Sequence, residues 1–141
     1  MELANRLDRL WAAIIDRGIF LVLAVATAIA IPALRGSSAA FLVGGAGVIA
    51  SLAYVGYQVY LLSTFGQTIG KRQMGLKIVL VKDMTNGGFV TNVLLRVCVP
   101  VAVTILPVVG VLFGLADPLF IFRDDRRCVH DHIAGTCVVK A

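Results

Sequence analysis

Four charged side chains lie within otherwise apolar sequence, and they are the residues best placed for chemistry. Arg9 and Asp16 flank the start of the first hydrophobic segment, whereas Arg96 and Asp117 lie in the third. Arg9 and Asp16 are about two helical turns apart, so they share one helix face at a separation of roughly 10 Å along the axis. Burial raises the proton affinity of a carboxylate and a nearby arginine lowers it. Asp16 and Asp117 are therefore candidates for an ion or proton site tuned by Arg9 or Arg96. The alternative is a charge network that fixes helix order.

The composition indicates an integral membrane protein that forms a single domain over residues 1–141. Of its residues, 59% are hydrophobic and 15% are charged, whereas roughly a quarter of the residues of a soluble domain are charged. The net charge of +5 would favour nucleic acid in a soluble chain, but basic flanks of membrane helices explain it here. The lipid bilayer is therefore the expected partner, and nucleic acid is not.

Two hydrophobic segments predict a helical hairpin that crosses the membrane twice. The first helix is expected at about residues 10–32 and the second at about residues 40–62, joined by a short loop near Arg35. Mixed-charge sequence precedes the first segment, and Asp16 and Arg17 lie at its start. We therefore expect a retained helix rather than a signal peptide, with Arg17 snorkelling to the interface.

The third hydrophobic region, residues 90–122, is too long for one simple span. As a straight helix it would measure roughly 48 Å, against roughly 30 Å of hydrocarbon core. It also contains the helix breakers Pro100, Pro107 and Gly110. We predict two short helices hinged near Pro107–Gly110, forming either a re-entrant hairpin or two thin spans. The alternative is an interfacial helix to about Pro100 and then one full span, which would place the tail outside.

Basic segments indicate that both chain ends face the cytoplasm of a bacterial inner membrane. The loop of residues 64–89 and the tail of residues 123–141 are rich in lysine and arginine, and such segments remain on the cytoplasmic side. Leu76–Val81 and Gly135–Val139 have the composition of short strands, which pair only if both lie on one side. The predicted fold class is an all-α integral membrane protein: a helical hairpin, a broken or re-entrant third hydrophobic region and a small cytoplasmic β element.

A glycine-rich basic turn precedes the first predicted strand, and it only superficially resembles a phosphate-binding loop. Three rather than four residues separate its glycines, and Arg72 stands where a serine or threonine would bind magnesium. We therefore expect no nucleotide and assign the turn to anchoring on anionic lipid headgroups. The residues of this motif are Gly66, Gln67, Thr68, Gly70, Lys71, Arg72 and Gly75.

The tail carries cysteine, histidine and aspartate at close spacing, and these residue types hold zinc or copper in proteins. Cys128, His130, His132 and Cys137 match no standard ligand spacing, so we expect no metal, no other cofactor and no disulfide framework. In the preferred interpretation, Asp131 caps a turn or pairs with a basic residue of the loop. The residues of this motif are His130, Asp131, Gly135 and Thr136.

These motifs together resemble the RDD family of small membrane proteins, which is named for one arginine and two aspartates. The resemblance assigns the arginine and the first aspartate to Arg9 and Asp16. It assigns the second aspartate to Asp117, with Asp131 as the competing assignment. His132 stands where family members usually have lysine or arginine. The matching blocks, in order, are Arg9–Asp16, Gly66–Val79 and His130–Val139.

The resemblance implies a membrane protein of the transport class. The family has been proposed to transport unidentified ligands, and some members look like sodium/proton antiporters. We therefore predict a cation/proton or small-solute transporter, which at this chain length would require a homo-oligomer. The alternative is a structural or assembly subunit of a larger membrane complex. We expect no enzyme, because the sequence contains no nucleophile–base pair and no strong metal motif.

Overall fold

Two long helices form the hairpin that hydropathy predicts. The computed structural model describes residues 2–33 and 38–141, with helix α1 at Arg6–Ala33 and helix α2 at Ser38–Phe65. Both helices are long and apolar enough to cross a membrane. They pack closely where Gly47 meets Thr27, since a Cβ at Gly47 would lie 2.2 Å from the threonine hydroxyl oxygen. The expected loop near Arg35 lies outside the described residues.

The third hydrophobic region is a broken helix, as predicted, but the break is at one place only. A π-helix, Val90–Cys98, continues into α4, Val99–Thr104, and α5 then runs over Pro107–Leu119. Pro100 and Gly110 were also expected to break the helix and do not, since Pro100 lies within α4 and Gly110 within α5. A proline in a helix removes a backbone hydrogen bond to the preceding turn. The wider π-helical turns before Pro100 accommodate the proline without ending the helix. The chain bends back before Pro107, and one short 3₁₀ turn, Phe120–Phe122, follows α5.

The two predicted strands form an antiparallel pair, which confirms the β element. Strand β1, Leu76–Leu80, pairs with β2, Thr136–Lys140, with Ile78 opposite Val138 at the centre. The N-terminal residue Leu3 adds an isolated bridge to β2. The inward side chains of the pair join the bases of α1 and α2 in the main apolar core.

The loop and the tail share one local structure that the sequence analysis did not detect. In each, a five-residue helix is followed by a glycine and a five-residue strand. The first unit contains α3, Ile69–Gln73, and the second contains α6, Val129–Ile133. Gly75 and Gly135 occupy matching positions with the same φ of 62°. Because the strands pair antiparallel about their centres, the two units are related by a local pseudo-twofold axis. Thr68 matches Cys128 as the N-cap, and Lys71 matches Asp131 three residues later.

Candidate functional site

Asp131 is the centre of a buried ion cluster that joins three separate segments. Its Oδ2 atom lies 2.5 Å from Nη2 of Arg9 on α1, and its Oδ1 atom lies 2.6 Å from Nη2 of Arg96 on the π-helix. The Asp131 side chain is fully buried, and both arginine side chains are less than a tenth exposed. One carboxylate therefore fixes the positions of the first helix, the third hydrophobic region and the tail.

The arginines of this cluster have further partners that complete their bonding. Arg9 also donates to the carbonyl oxygen of Arg126, and Arg96 Nη1 donates to the hydroxyl oxygen of Thr136 at 2.7 Å. Arg127, which the sequence analysis did not select, donates to the carbonyl oxygens of Thr136 and Asp131 at 2.9 and 3.1 Å. The one signal for Arg127 in the sequence is its position next to the tail motif. That signal is weak, because arginines are common in any basic tail.

Electrostatics keep Asp131 ionised despite its burial. Burial alone would raise the pKa of this carboxyl group, but the positive charges of Arg96 and Arg9 outweigh burial and hold the pKa well below its ordinary value. The same burial raises the pKa of the adjacent Cys128 thiol to about 11. Cys128 is therefore a neutral thiol at neutral pH, and Asp131 is the anion of the cluster.

Asp16 has a different environment, since it binds the first helix–glycine–strand unit. Its Oδ1 atom accepts from the backbone N–H of Gly70 at 2.8 Å and from Nε2 of Gln58 at 3.0 Å. Its Oδ2 atom accepts from the hydroxyl group of Thr68 at 2.5 Å. Tyr54 donates to the backbone carbonyl of Asp16 at 2.8 Å. These neutral donors surround the carboxylate and attach α3 to α1 and α2.

The glycine-rich motif is explained by this attachment. At Gly70, a Cβ would lie 2.1 Å from the carbonyl oxygen of Ala12, so only glycine allows α3 to approach α1 this closely. Gly66 has a φ of 66° and a Cβ there would lie 2.5 Å from the Ile78 carbonyl oxygen. Gln67 donates to the carbonyl oxygen of Leu76 at 2.8 Å, while Arg72 is exposed.

Asp117 pairs with a histidine rather than with an arginine. Nδ1 of His130 lies 2.8 and 2.7 Å from the two carboxylate oxygens of Asp117, and the backbone N–H of His130 donates to Oδ1 at 2.9 Å. Both side chains are partly exposed, at 23% for His130 and 19% for Asp117. This pair is therefore accessible to solvent, in contrast to Asp131, which is fully buried between two arginines.

A cavity of about 400 Å³ opens beside the Asp117–His130 pair. It lies between α1, α3, the π-helix, α4 and α5, and apolar side chains such as Phe113 and Val101 form much of its wall. Its charged residues, besides the pair itself, are Arg17, Lys71 and Arg96. Arg17 was expected to snorkel to the interface; the structure places it at this cavity.

The structure separates the charges that the sequence analysis grouped together. Arg9 and Arg96 were expected to tune Asp16 or Asp117, but both bind Asp131 instead. Asp131 was expected to cap a turn or to pair with a basic residue of the loop. It does cap α6, where its Oδ2 atom accepts from the backbone N–H of Cys128 at 3.1 Å, but its ionic partners come from α1 and the π-helix. The reason is tertiary: α6 places its carboxylate between two helices that are distant in sequence.

Asp117, Cys128 and His130 also bring potential metal-ligand atoms within 4.8 Å of one another. The oxygen–nitrogen separations of 2.7 and 2.8 Å between Asp117 and His130 are those of a hydrogen bond. Two ligands of one tetrahedral zinc ion would be about 3.3 Å apart. His132 and Cys137 lie elsewhere, with His132 3.0 Å from Asp125 and Cys137 on β2. The arrangement therefore fits a hydrogen-bonded pair better than a metal centre.

Lys71 supplies a test of the positive potential in the cavity. Burial, with the nearby charge of Arg96, lowers its pKa from 10.5 to about 8. The folded protein therefore releases this proton at a lower pH than the unfolded chain, so stability should rise between pH 8 and pH 10.5. In neutral detergent without added anions, Lys71→Met should raise the free energy of unfolding at pH 7 by about 1–2 kcal/mol, after allowance for partial exposure.

The measurement for Lys71→Met is thermal unfolding of purified protein from pH 7 to pH 10. Lys82→Met, which removes an exposed lysine of the same loop, is the matched control and should leave the pH profile unchanged. A Lys71→Met protein that is less stable than the wild type at pH 7 would show that Lys71 has a favourable internal partner.

Comparison with known proteins agrees with this arrangement of motifs. The chain is 30% identical over 98 residues to an uncharacterized protein from Haemophilus influenzae, with the match covering 67% of this chain and 58% of the relative. The chain thus matches somewhat more than half the length of that relative. No solved structure matches the chain. The model of the RDD family matches residues 3–135, which is nearly the whole chain, and the protein therefore belongs to the RDD family.

Proposed function

We propose that this RDD protein is a membrane carrier that couples movement of a small charged solute to protons through Asp117 and His130. The observation that carries the proposal is the position of this pair. It is a partly exposed carboxylate–imidazole pair at the wall of a cavity of about 400 Å³. A carboxylate and an imidazole in contact can exchange a proton with each other and with water in the cavity.

The other two carboxylates are less suited to this role. The described hydrogen bonds of Asp117 all come from one residue, His130. Asp16, by contrast, accepts from three different residues, and Asp131 is buried between two arginines. Each would have to break several bonds before it could release or gain a cargo ion. This contrast favours Asp117 over Asp16 as the exchanging group and makes Asp16 and Asp131 positioning residues.

We further propose a multi-pass arrangement in a bacterial inner membrane with both ends in the cytoplasm. Residues near the base of α1, the start of the π-helix and the end of α5 all contact the β element or its short helices. This geometry supports a re-entrant hairpin or two thin spans for residues 90–122. The carrier would act as a homo-oligomer and not as an enzyme.

The proposal is tested by proton flux in liposomes. Purified protein is reconstituted into neutral lipid with a pH-sensitive dye trapped inside, and sodium chloride or potassium succinate is added outside. We expect the wild type to change the internal pH with at least one of these salts. Asp117→Asn should reduce the change to that of protein-free liposomes, because an amide cannot carry the proton.

Asp124→Asn is the matched control, since Asp124 is an exposed aspartate of the nearby tail. It should retain wild-type flux. An Asp117→Asn protein that retains wild-type flux, or a folded wild type that moves no protons with either salt, would contradict the carrier proposal.

A second candidate is a structural or assembly subunit of a larger membrane complex. It is favoured by the outer faces of α1 and α2, where large apolar side chains such as Leu21, Ile29, Phe41 and Leu52 are exposed. Gentle extraction from native membrane, followed by mass analysis, separates the candidates. A larger partner in fixed stoichiometry would support the subunit, whereas a homo-oligomer alone would support the carrier.

A further inference from the structure

The cavity beside Asp117 has an excess of positive charge. Arg17 enters it from α1, Lys71 from α3 and Arg96 from the π-helix, whereas Asp117 is the acidic residue of its lining. Asp117 is already hydrogen-bonded to His130, and Arg96 is already paired with Asp131. Arg17 and Lys71 are therefore the charges that remain to be balanced.

In the part of the chain that the structure describes, the ion pairs involve neither Arg17 nor Lys71. The contrast with the second helix–glycine–strand unit is direct. Asp131, at the position equivalent to Lys71, receives two arginines. Lys71 makes no ion pair with a described carboxylate, although the charge of Asp16 acts on it from a greater distance, and it faces the cavity. A charge held in a partly apolar cavity without an internal counter-ion favours binding of an external one.

The remaining wall of the cavity is apolar, which restricts the kind of anion that fits. The apolar residues of its lining include Val97, Pro100, Val101 and Phe113, together with Leu62 near the end of α2. An inorganic ion would leave this apolar wall in contact with water. A molecule that joins an anionic group to an apolar body would cover both surfaces at once.

We propose that this cavity binds the carboxylate or phosphate group of an amphiphilic anion, with Lys71 and Arg17 contacting the charge and the hairpin of α4 and α5 contacting the apolar body. The anion site rests on the proposed carrier function in one respect only: if the protein is a carrier, the bound anion belongs to the class of solute that it moves. The same chemistry could come from a soluble organic anion or from an anionic lipid headgroup.

The charge state of Lys71 reports occupation directly. An anion beside this ammonium group favours its protonated form, so binding should raise the pKa of Lys71. The full-length protein is labelled by reductive methylation with ¹³C, placed in phosphatidylcholine nanodiscs, and its lysine methyl signals are followed by NMR during pH titration. The Lys71→Gln variant identifies the Lys71 signal, and Lys77, Lys82 and Lys140 serve as internal references.

Three probes separate the sources of the anion. A rise in the pKa of Lys71 on addition of benzoate would support a soluble organic anion. A rise in nanodiscs that contain phosphatidylglycerol, without benzoate, would support a lipid headgroup. Inorganic phosphate that acts as strongly as benzoate would overturn the requirement for an apolar body. A pKa that none of the three probes changes would overturn the proposal.

Arg17→Gln tests the second contact, because Arg17 is exposed and its replacement leaves the internal bonds in place. It should weaken binding of the effective probe about tenfold, the loss expected for one charge-assisted contact. Lys82→Gln removes one positive charge of the same loop away from the cavity and should leave the affinity unchanged. Equal affinity for Arg17→Gln and the wild type would remove Arg17 from the site.

These experiments measure binding and not transport. A protein that binds the anion but shows no proton flux would therefore contradict the carrier proposal without contradicting the anion site.

Discussion

Asp131→Asn should lower the free energy of unfolding by about 3–5 kcal/mol, the usual cost of removing one partner from a buried ion pair. The substitution keeps the shape of the side chain but leaves the buried guanidinium groups of Arg9 and Arg96 without their anion. The loss should be large because three segments of the chain meet at this carboxylate. Unfolding by denaturing detergent in mixed micelles measures it.

Asp124→Asn, an exposed neighbour with the same chemical change, is the control and should stay within about 0.5 kcal/mol of the wild type. A triple variant, Arg9→Met with Arg96→Met and Asp131→Leu, should recover much of the lost stability because it removes all of the buried charges together. Wild-type stability in the Asp131→Asn variant would contradict the central role of the cluster.

The pKa of Asp131 in the folded protein is depressed. Its contribution to stability is therefore present above the ordinary carboxyl pKa and is lost only as the pH falls far into the acidic range.

Gly70→Ala should detach the first helix–glycine–strand unit from α1. The added Cβ would lie 2.1 Å from the carbonyl oxygen of Ala12 and 3.0 Å from Cγ of Asp16. The first of these atoms belongs to the backbone of a long helix and cannot move alone, so α3 must shift outward and loosen its hydrogen bonds to Asp16. We expect a loss of about 3 kcal/mol or more, the upper range for overpacking.

Gly56→Ala in α2 is the matched control for Gly70→Ala. Gly56 is also helical, and a Cβ there would meet nothing within 4 Å. It should be neutral or stabilising by about 0.5–1 kcal/mol, since alanine is the better helix former. Protease cleavage in the loop of residues 64–89 provides a second readout, because only the Gly70 variant should expose it. If the two variants were equally stable, close packing of α3 on α1 would not explain this glycine.

Local sequence patterns were sufficient for the two long helices and the two strands of the fold. The apolar lengths of α1 and α2 predicted the hairpin, and the β-branched residues of Leu76–Leu80 and Thr136–Lys140 predicted the strands. These features depend on hydrophobic periodicity and composition, which are properties of each segment by itself. The break before Pro107 followed from the proline, whereas the continuity through Pro100 did not, because the π-helical turns that accommodate it have no sequence signature.

The sequence identified the charged residues of the candidate site, but it did not identify their partners. Arg9, Asp16, Arg96 and Asp117 stood out because ionisable groups are costly in apolar sequence, a property of each residue by itself. Pairing depends on which helices meet. The suggested tuning of Asp16 or Asp117 by Arg9 or Arg96 was therefore wrong, whereas the other interpretation, a charge network that fixes helix order, describes both arginines. The likeness between the loop unit and the tail unit was also missed, since it resides mainly in backbone angles and in the two glycines before the strands.

The sequence by itself determined the two apolar helices that are long enough to cross a membrane, the two strands and the RDD family to which the chain belongs. The tertiary structure alone decided that Asp131 takes both arginines, that Asp16 binds the amide of Gly70, and that Asp117 and His130 share a cavity wall. The physical reason is that apolar periodicity and strand composition act over a few neighbouring residues. The ion pair of Arg9 and Asp131 instead joins side chains that are 122 positions apart, and only the packing of the helices brings them together.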